Sequence, residues 1–122
     1  MIKHNIIDQV LYVNLTGNIN FESILGYFKD FTSFTELPKN LLVLYDFRCV
    51  TFDLTINELQ MISHVAEKST EEYTNIRAAF LVDNPVLTAY STLYSELPIT
   101  KKIKRKIFST QQAALTWLNL EK

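Results

Sequence analysis

Two histidines, one cysteine and three aspartates are the residues of this chain best placed to do chemistry near neutral pH. His4 falls in a short extended stretch and His64 on the polar stripe of a helix. Neither has a cysteine or carboxylate at metal-ligand or triad spacing, so both read as solvated surface histidines. Cys49, the single cysteine, excludes an internal disulfide and fits a reducing compartment. With no activating base beside it in sequence, it reads as a small, semi-buried filler. Asp46, Asp53 and Asp83 each follow an apolar run or precede a helix. Brought together they could serve as acid and base, although aspartates in such places commonly cap turns and helices. Two glycines in the whole chain leave no Gly-rich phosphate loop. The basic run Lys101, Lys102, Lys104, Arg105 and Lys106 is the main charge feature. It offers up to about 1 kcal/mol per cation to an anionic lipid surface, or it protects a sheet edge from pairing with another chain.

The elements that must position these residues follow from periodicity. Ile2 to Ile7 and Val10 to Thr16 read as two strands joined tightly at Asp8-Gln9, the second ending at Gly17-Asn18. Asn20 caps a helix from Phe21 to about Thr32, with Phe21, Ile24, Leu25, Phe28 and Phe31 on its inner stripe. Leu41 to Tyr45 is a strand buried on both faces, ending at Asp46 and an irregular passage. Thr55 and Glu58 form a capping box for a helix to about Lys68, with Ile56, Leu59, Ile62 and Ala66 facing inward. Ile76 to Val82 is a further interior strand. Asn84 and Pro85 open a third helix whose inner stripe is Val86, Ala89, Tyr90, Leu93 and Leu97, stopped by Pro98. Ile103, Arg105 and Ile107 alternate with Lys102, Lys104 and Lys106, as on an edge strand. Ser109 and Gln112 supply a capping box for a last helix carrying Ala114, Trp117 and Leu118.

The order is β-β-α-β-α-β-α-β-α, a single α/β domain over residues 1–122 with a mostly parallel sheet. Strand ends and helix starts then share one edge, where open α/β sheets keep their crevice. Gly17, Asn18, Asp46, Arg48, Asp53, Thr55, Asp83 and Asn84, with Ser109 and Thr110, are predicted along it. A net charge of −1 and the lack of aromatics among the basic residues argue against nucleic acid. No apolar run nears the roughly 20 residues of a membrane span, and no signal peptide is read at the start. A cytoplasmic location is the expectation, with at most peripheral membrane contact.

The opening hairpin ending in LTGNIN, the central LLVLYDF, the step IRAAFLVDNP and the closing IFSTQQAALTWL together resemble the STAS domain superfamily, in particular its SpoIIAA-like branch. The resemblance covers nearly the whole chain and rests on order and spacing. It implies a βα superhelix with helices largely on one side of the sheet, related in fold to lipid-binding domains of the SEC14 kind. In anti-sigma factor antagonists the turn before the second helix reads Asp-Ser-Ser-Gly, with phosphorylation on the second Ser. Asp53-Leu54-Thr55-Ile56 stands there in this chain, so Thr55 takes the phosphoacceptor place while Leu54 and Ile56 depart from the pattern. The leading expectation is a non-enzymatic interaction or regulatory module with no cofactor, acting on a protein partner or as a homodimer. The alternatives are a carrier or sensor for a lipid or other small apolar ligand, and a phosphoregulated switch at Thr55. If the helices cover one sheet face only, the apolar residues on the other require a second copy, a partner or a bound molecule as cover.

Overall fold

Five apolar runs pair into one sheet in the computed structural model, which describes residues 1–34, 37–97 and 100–120. β1 (Ile2–Ile7) lies antiparallel to β2 (Val10–Asn20), and β3 (Asn40–Asp53), β4 (Asn75–Leu81) and β5 (Ile103–Phe108) follow in parallel, in the order β1-β2-β3-β4-β5. The helices are α1 (Phe21–Phe31), α2 (Ile56–Ser69), α3 (Pro85–Ser95) and α4 (Gln111–Leu118). Asp8 and Gln9, with φ of 51° and 70°, make the two-residue left-handed turn whose twist suits a hairpin. Gln9 has no glycine-like freedom there. Gln9→Gly is expected to raise stability by about 1 kcal/mol, read as a higher thermal unfolding midpoint; a lowered midpoint would contradict it.

Two strands run further than periodicity suggests. Gly17-Asn18 does not end β2, which continues to Asn20 with Gly17 at φ +83°. Nor does β3 stop near Asp46: it continues to Asp53 beside β2, with Gly17 opposite Val50 and Asn20 opposite Asp53. The register moves from Asn14 opposite Asp46 to Thr16 opposite Cys49, so β3 carries one extra residue there, a β-bulge. The bulge breaks the alternation, which is why the passage looks irregular in sequence. Beyond Asp46, β3 has no ladder with β4, so β2 and β3 project past the sheet as a two-stranded ribbon.

α1, α2 and α3 pack on one face of the sheet and α4 on the other. The first face buries Leu11, Val13, Val43, Phe47, Ala78 and Phe80 against Phe28, Phe31, Ile62 and Leu87. The second buries Val10, Leu44, Ala79 and Leu81 under Ala114 and Leu118. α4 therefore covers the central part of the face that had no assigned cover. Two stripes differ from expectation. Ile56 is 63% exposed, and α3 keeps Tyr90 inward as expected but adds Leu87, Ser91 and Tyr94 there while Val86, Ala89 and Leu93 face out. α3 carries no charged residue and has large apolar side chains on more than one side, so periodicity leaves its inner face undecided. Pro98, expected to stop α3, lies outside the described residues.

Candidate functional site

The predicted edge separates into two groups. Asp46 clamps the bulge: its carboxylate accepts from the Arg48 backbone N–H at 3.0 Å, from Arg48 Nε at 3.0 Å and from a terminal guanidinium nitrogen at 2.9 Å. Burial works against the ionised Asp46, but the hydrogen bonds and positive charge of Arg48 outweigh it and hold the carboxyl below its ordinary range. Arg48 is raised chiefly by its bond to Asp46, with a smaller contribution from the charge of Asp83. Asp83 is exposed and receives the side-chain amide of Asn84 at 3.4 Å. Asp53, Thr55, Gly17 and Asn18 lie out on the ribbon and at the start of α2, where Thr51 Oγ1 donates to Asn18 at 3.3 Å. Asp46, Arg48 and Asp83 are thus neighbours, and Asp53 stands seven residues further along β3.

A depressed carboxyl favours the folded state above its unfolded pKa, about 3.9, and that contribution is lost as pH falls through the still lower folded value. The stability gap between the native chain and Asp46→Asn is therefore expected to be present at pH 7 and to shrink below about pH 4. Urea unfolding at both values checks this, and a gap independent of pH contradicts it.

The remaining candidates serve mainly as caps. Thr55 Oγ1 accepts from Glu58 N–H at 3.1 Å while Glu58 Oε1 accepts from Thr55 N–H at 2.9 Å, the capping box expected from sequence. Asn84 caps α3 at Leu87 N. Thr110, not Ser109, caps α4, accepting from Ala113 N at 3.2 Å. His4 lies 4.2 Å from the Phe34 ring, and His64 is exposed on α2. Cys49 is exposed rather than a semi-buried filler, because the bulge turns it outward. Among the described residues no three His, Cys, Asp or Glu side chains gather as a metal set.

The basic run is divided by strand alternation. Lys102 Nζ donates to the carbonyls of Thr70, Glu71 and Tyr73 at 2.8, 3.3 and 3.2 Å, closing the C-terminal end of α2. Arg105 turns under α3. Of the run only Lys101, Lys104 and Lys106 are exposed, so it does not form one continuous cationic patch.

Between the sheet and α1–α3 lies a cavity of about 110 Å³ that sequence reasoning did not find. Its walls include Phe31, Val43, Tyr45, Phe47, Phe80 and Tyr94. Phe47 and Phe80 stack at 5.5 Å, and Tyr45 lies 5.5 Å from Phe80. The Tyr27 and Tyr45 hydroxyls share a 3.1 Å hydrogen bond, and burial raises the pKa of both, so they act as neutral partners. This partly open space is apolar with a few fixed polar groups, the usual character of a small-molecule site. Aromatics at helical spacing signalled a core, but a void inside it depends on how strand and helix side chains meet.

No protein-family model matches the chain, and no curated protein matches it. Solved structures do. A DUF3478-family protein with a SpoIIAA-like fold from Shewanella loihica PV-4 superposes with a TM-score of 0.61 at 15% identity, over 97% of this chain and 92% of that one. The fold is SpoIIAA-like. The anti-sigma factor antagonist SpoIIAA in its unphosphorylated form gives 0.60 at 9% identity over 97% of each chain. The phosphorylated form of SpoIIAA, described as a Bacillus cell fate determinant, gives 0.58 at 10% identity over 98% of this chain and 100% of that one. The SpoIIAA-like arrangement of a mostly parallel sheet with helices largely on one side is what places the cavity beneath α1–α3. No helix among the described residues is long and apolar enough to cross a membrane.

Proposed function

We propose that this SpoIIAA-like chain is a non-enzymatic carrier or sensor that holds a small, largely apolar molecule between its sheet and α1–α3. The cavity of about 110 Å³ carries this reading. Apolar voids near this size stay dry and take compact guests; one of about 150 Å³ accepts benzene. The volume favours a compact molecule over a lipid acyl chain. Toluene titrated into the isotopically labelled chain tests the idea by NMR. Shifts concentrated at Val43, Phe80 and Ser91 are expected, whereas an unperturbed spectrum at saturating toluene removes the reading.

A second reading, contact with a protein partner or a second copy, is supported by Ile56 and Val86. They are 63% and 65% exposed on the first turns of α2 and α3. The anti-sigma antagonist among the fold neighbours is consistent with it. Sedimentation at several concentrations tests the self-association form, which requires a dimer that Ile56→Asp weakens; a concentration-independent monomer excludes it. A phosphoryl switch at Thr55 has less support, because the group would meet the Glu58 carboxylate of the capping box. Phosphate on Thr55 in the intact mass of protein purified from cells would restore it.

A further inference from the structure

We propose that the molecule held in the cavity is a short carboxylic acid, its apolar body against Phe47 and Phe80 and its carboxylate between Arg105 and Ser91. This rests on the cavity's being a ligand site, as argued above, and adds the chemistry of the guest. Arg105, on an edge strand, turns its side chain inward with Ile103 and Ile107 because strand residues alternate in facing. Its guanidinium lies 4.0 Å from the centre of the Tyr94 ring. It donates to the Tyr94 carbonyl at 3.1 Å, the Tyr94 hydroxyl at 3.2 Å and Ser63 Oγ at 3.2 Å. These are three neutral acceptors for a group with five N–H donors, which leaves donors to spare.

Among the described residues no carboxylate lies within 4 Å of this guanidinium, although the charge of Glu67 reaches Tyr94 beside it. The ion pair within 4 Å among the described residues is Arg48–Asp46, and Glu67 on α2 accepts from the Thr100 amide instead. Ser91 is the independent observation. It lines the same cavity at 3% exposure, and its hydroxyl has no hydrogen-bond partner among the described residues. A buried hydroxyl without a partner is costly, and so is a partly buried cation without an anion. Both deficits end if one carboxylate accepts from each. The cavity's size then limits the apolar body to about a six-carbon ring or a short branched chain.

Calorimetric titration of the purified chain with benzoate, benzamide, toluene and octanoate tests the assignment. Benzoate is expected to bind about tenfold or more tighter than the isosteric neutral benzamide, as a charge-assisted contact requires. Octanoate, too long for the void, is expected to bind at least about tenfold more weakly than benzoate. Arg105→Gln is expected to remove the preference for benzoate over benzamide. Ser91→Ala, which gives up no existing hydrogen bond, is expected to reduce benzoate affinity several-fold with the fold intact. If toluene binds and benzoate gains nothing over benzamide, the carboxylate is wrong and the cavity reading survives. Equal binding of octanoate overturns the short-acid assignment, and if no probe binds, both proposals fall.

Discussion

Phe31→Ala is expected to lower stability by about 3–5 kcal/mol, a large part of the roughly 5–15 kcal/mol that holds a domain of this size folded. Phe31 is 2% exposed at the centre of an aromatic cluster, with ring centres 5.5 Å from Phe34, 5.8 Å from Tyr73 and 6.1 Å from Tyr27. It ties α1 to the segment following α2 and forms part of the cavity wall. Truncation would lose the transfer free energy of the ring and leave a larger void beside an existing one. Collapse offers only part relief, because Tyr27 and Phe28 are held on α1 while Phe34 and Tyr73 lie in connecting segments. Urea unfolding measures it, and a loss below about 1 kcal/mol would mean that Phe31 is not the keystone of that side.

Ala78→Leu is expected to do the opposite kind of damage, abolishing toluene binding while keeping the fold. Ala78 sits on β4 at 7% exposure and faces the cavity, with Phe80 two residues on along the same face. Leucine adds three carbons that the void can receive. Stability should therefore change by less than about 1.5 kcal/mol, the range of tolerated repacking, and not by the larger cost of overfilling a dense core. Titration should show toluene affinity reduced beyond measurement. Unchanged affinity in a folded Ala78→Leu chain would place the guest elsewhere.

Much of the architecture is legible in the residues because local rules agree with one another. Thr55 with Glu58, and Asn84 before Pro85, mark helix starts with side chains that satisfy free backbone N–H groups, and both caps are found. Alternation in IKRKIF already sets Arg105 on the same side as Ile103 and Ile107. What alternation does not state is that this side lies under α3, so a single charge run becomes one internal guanidinium, one helix cap and three exposed lysines. The ribbon of β2 and β3 is hidden for a related reason. Its outward positions are polar, and the bulge at Phe47-Arg48 shifts the period by one residue. The inner face of α3 is hidden because Val86 and Leu93 are as apolar as Leu87 and Tyr90. The choice between them depends on how the helix start is placed against β4, a relation between distant parts of the chain. The cavity is less legible still, since a void is a property of how many side chains fail to meet.

Arg105 and Tyr94 also show how burial and function meet on one strand. An arginine at an edge is ordinary protection against unwanted pairing. Turned inward onto an aromatic ring, it becomes a partly desolvated cation at the border of an apolar space. Lys104 and Lys106, one residue to either side, remain outside and keep the protective role.

Crystals of the chain pressurised with xenon would show whether the space beneath α1–α3 is open, because xenon enters apolar voids without needing a particular chemistry. A xenon atom is expected between the Val43 and Phe80 side chains and α1–α3. Density showing that space filled by protein side chains, with no xenon in it, would mean that the chain holds no guest there.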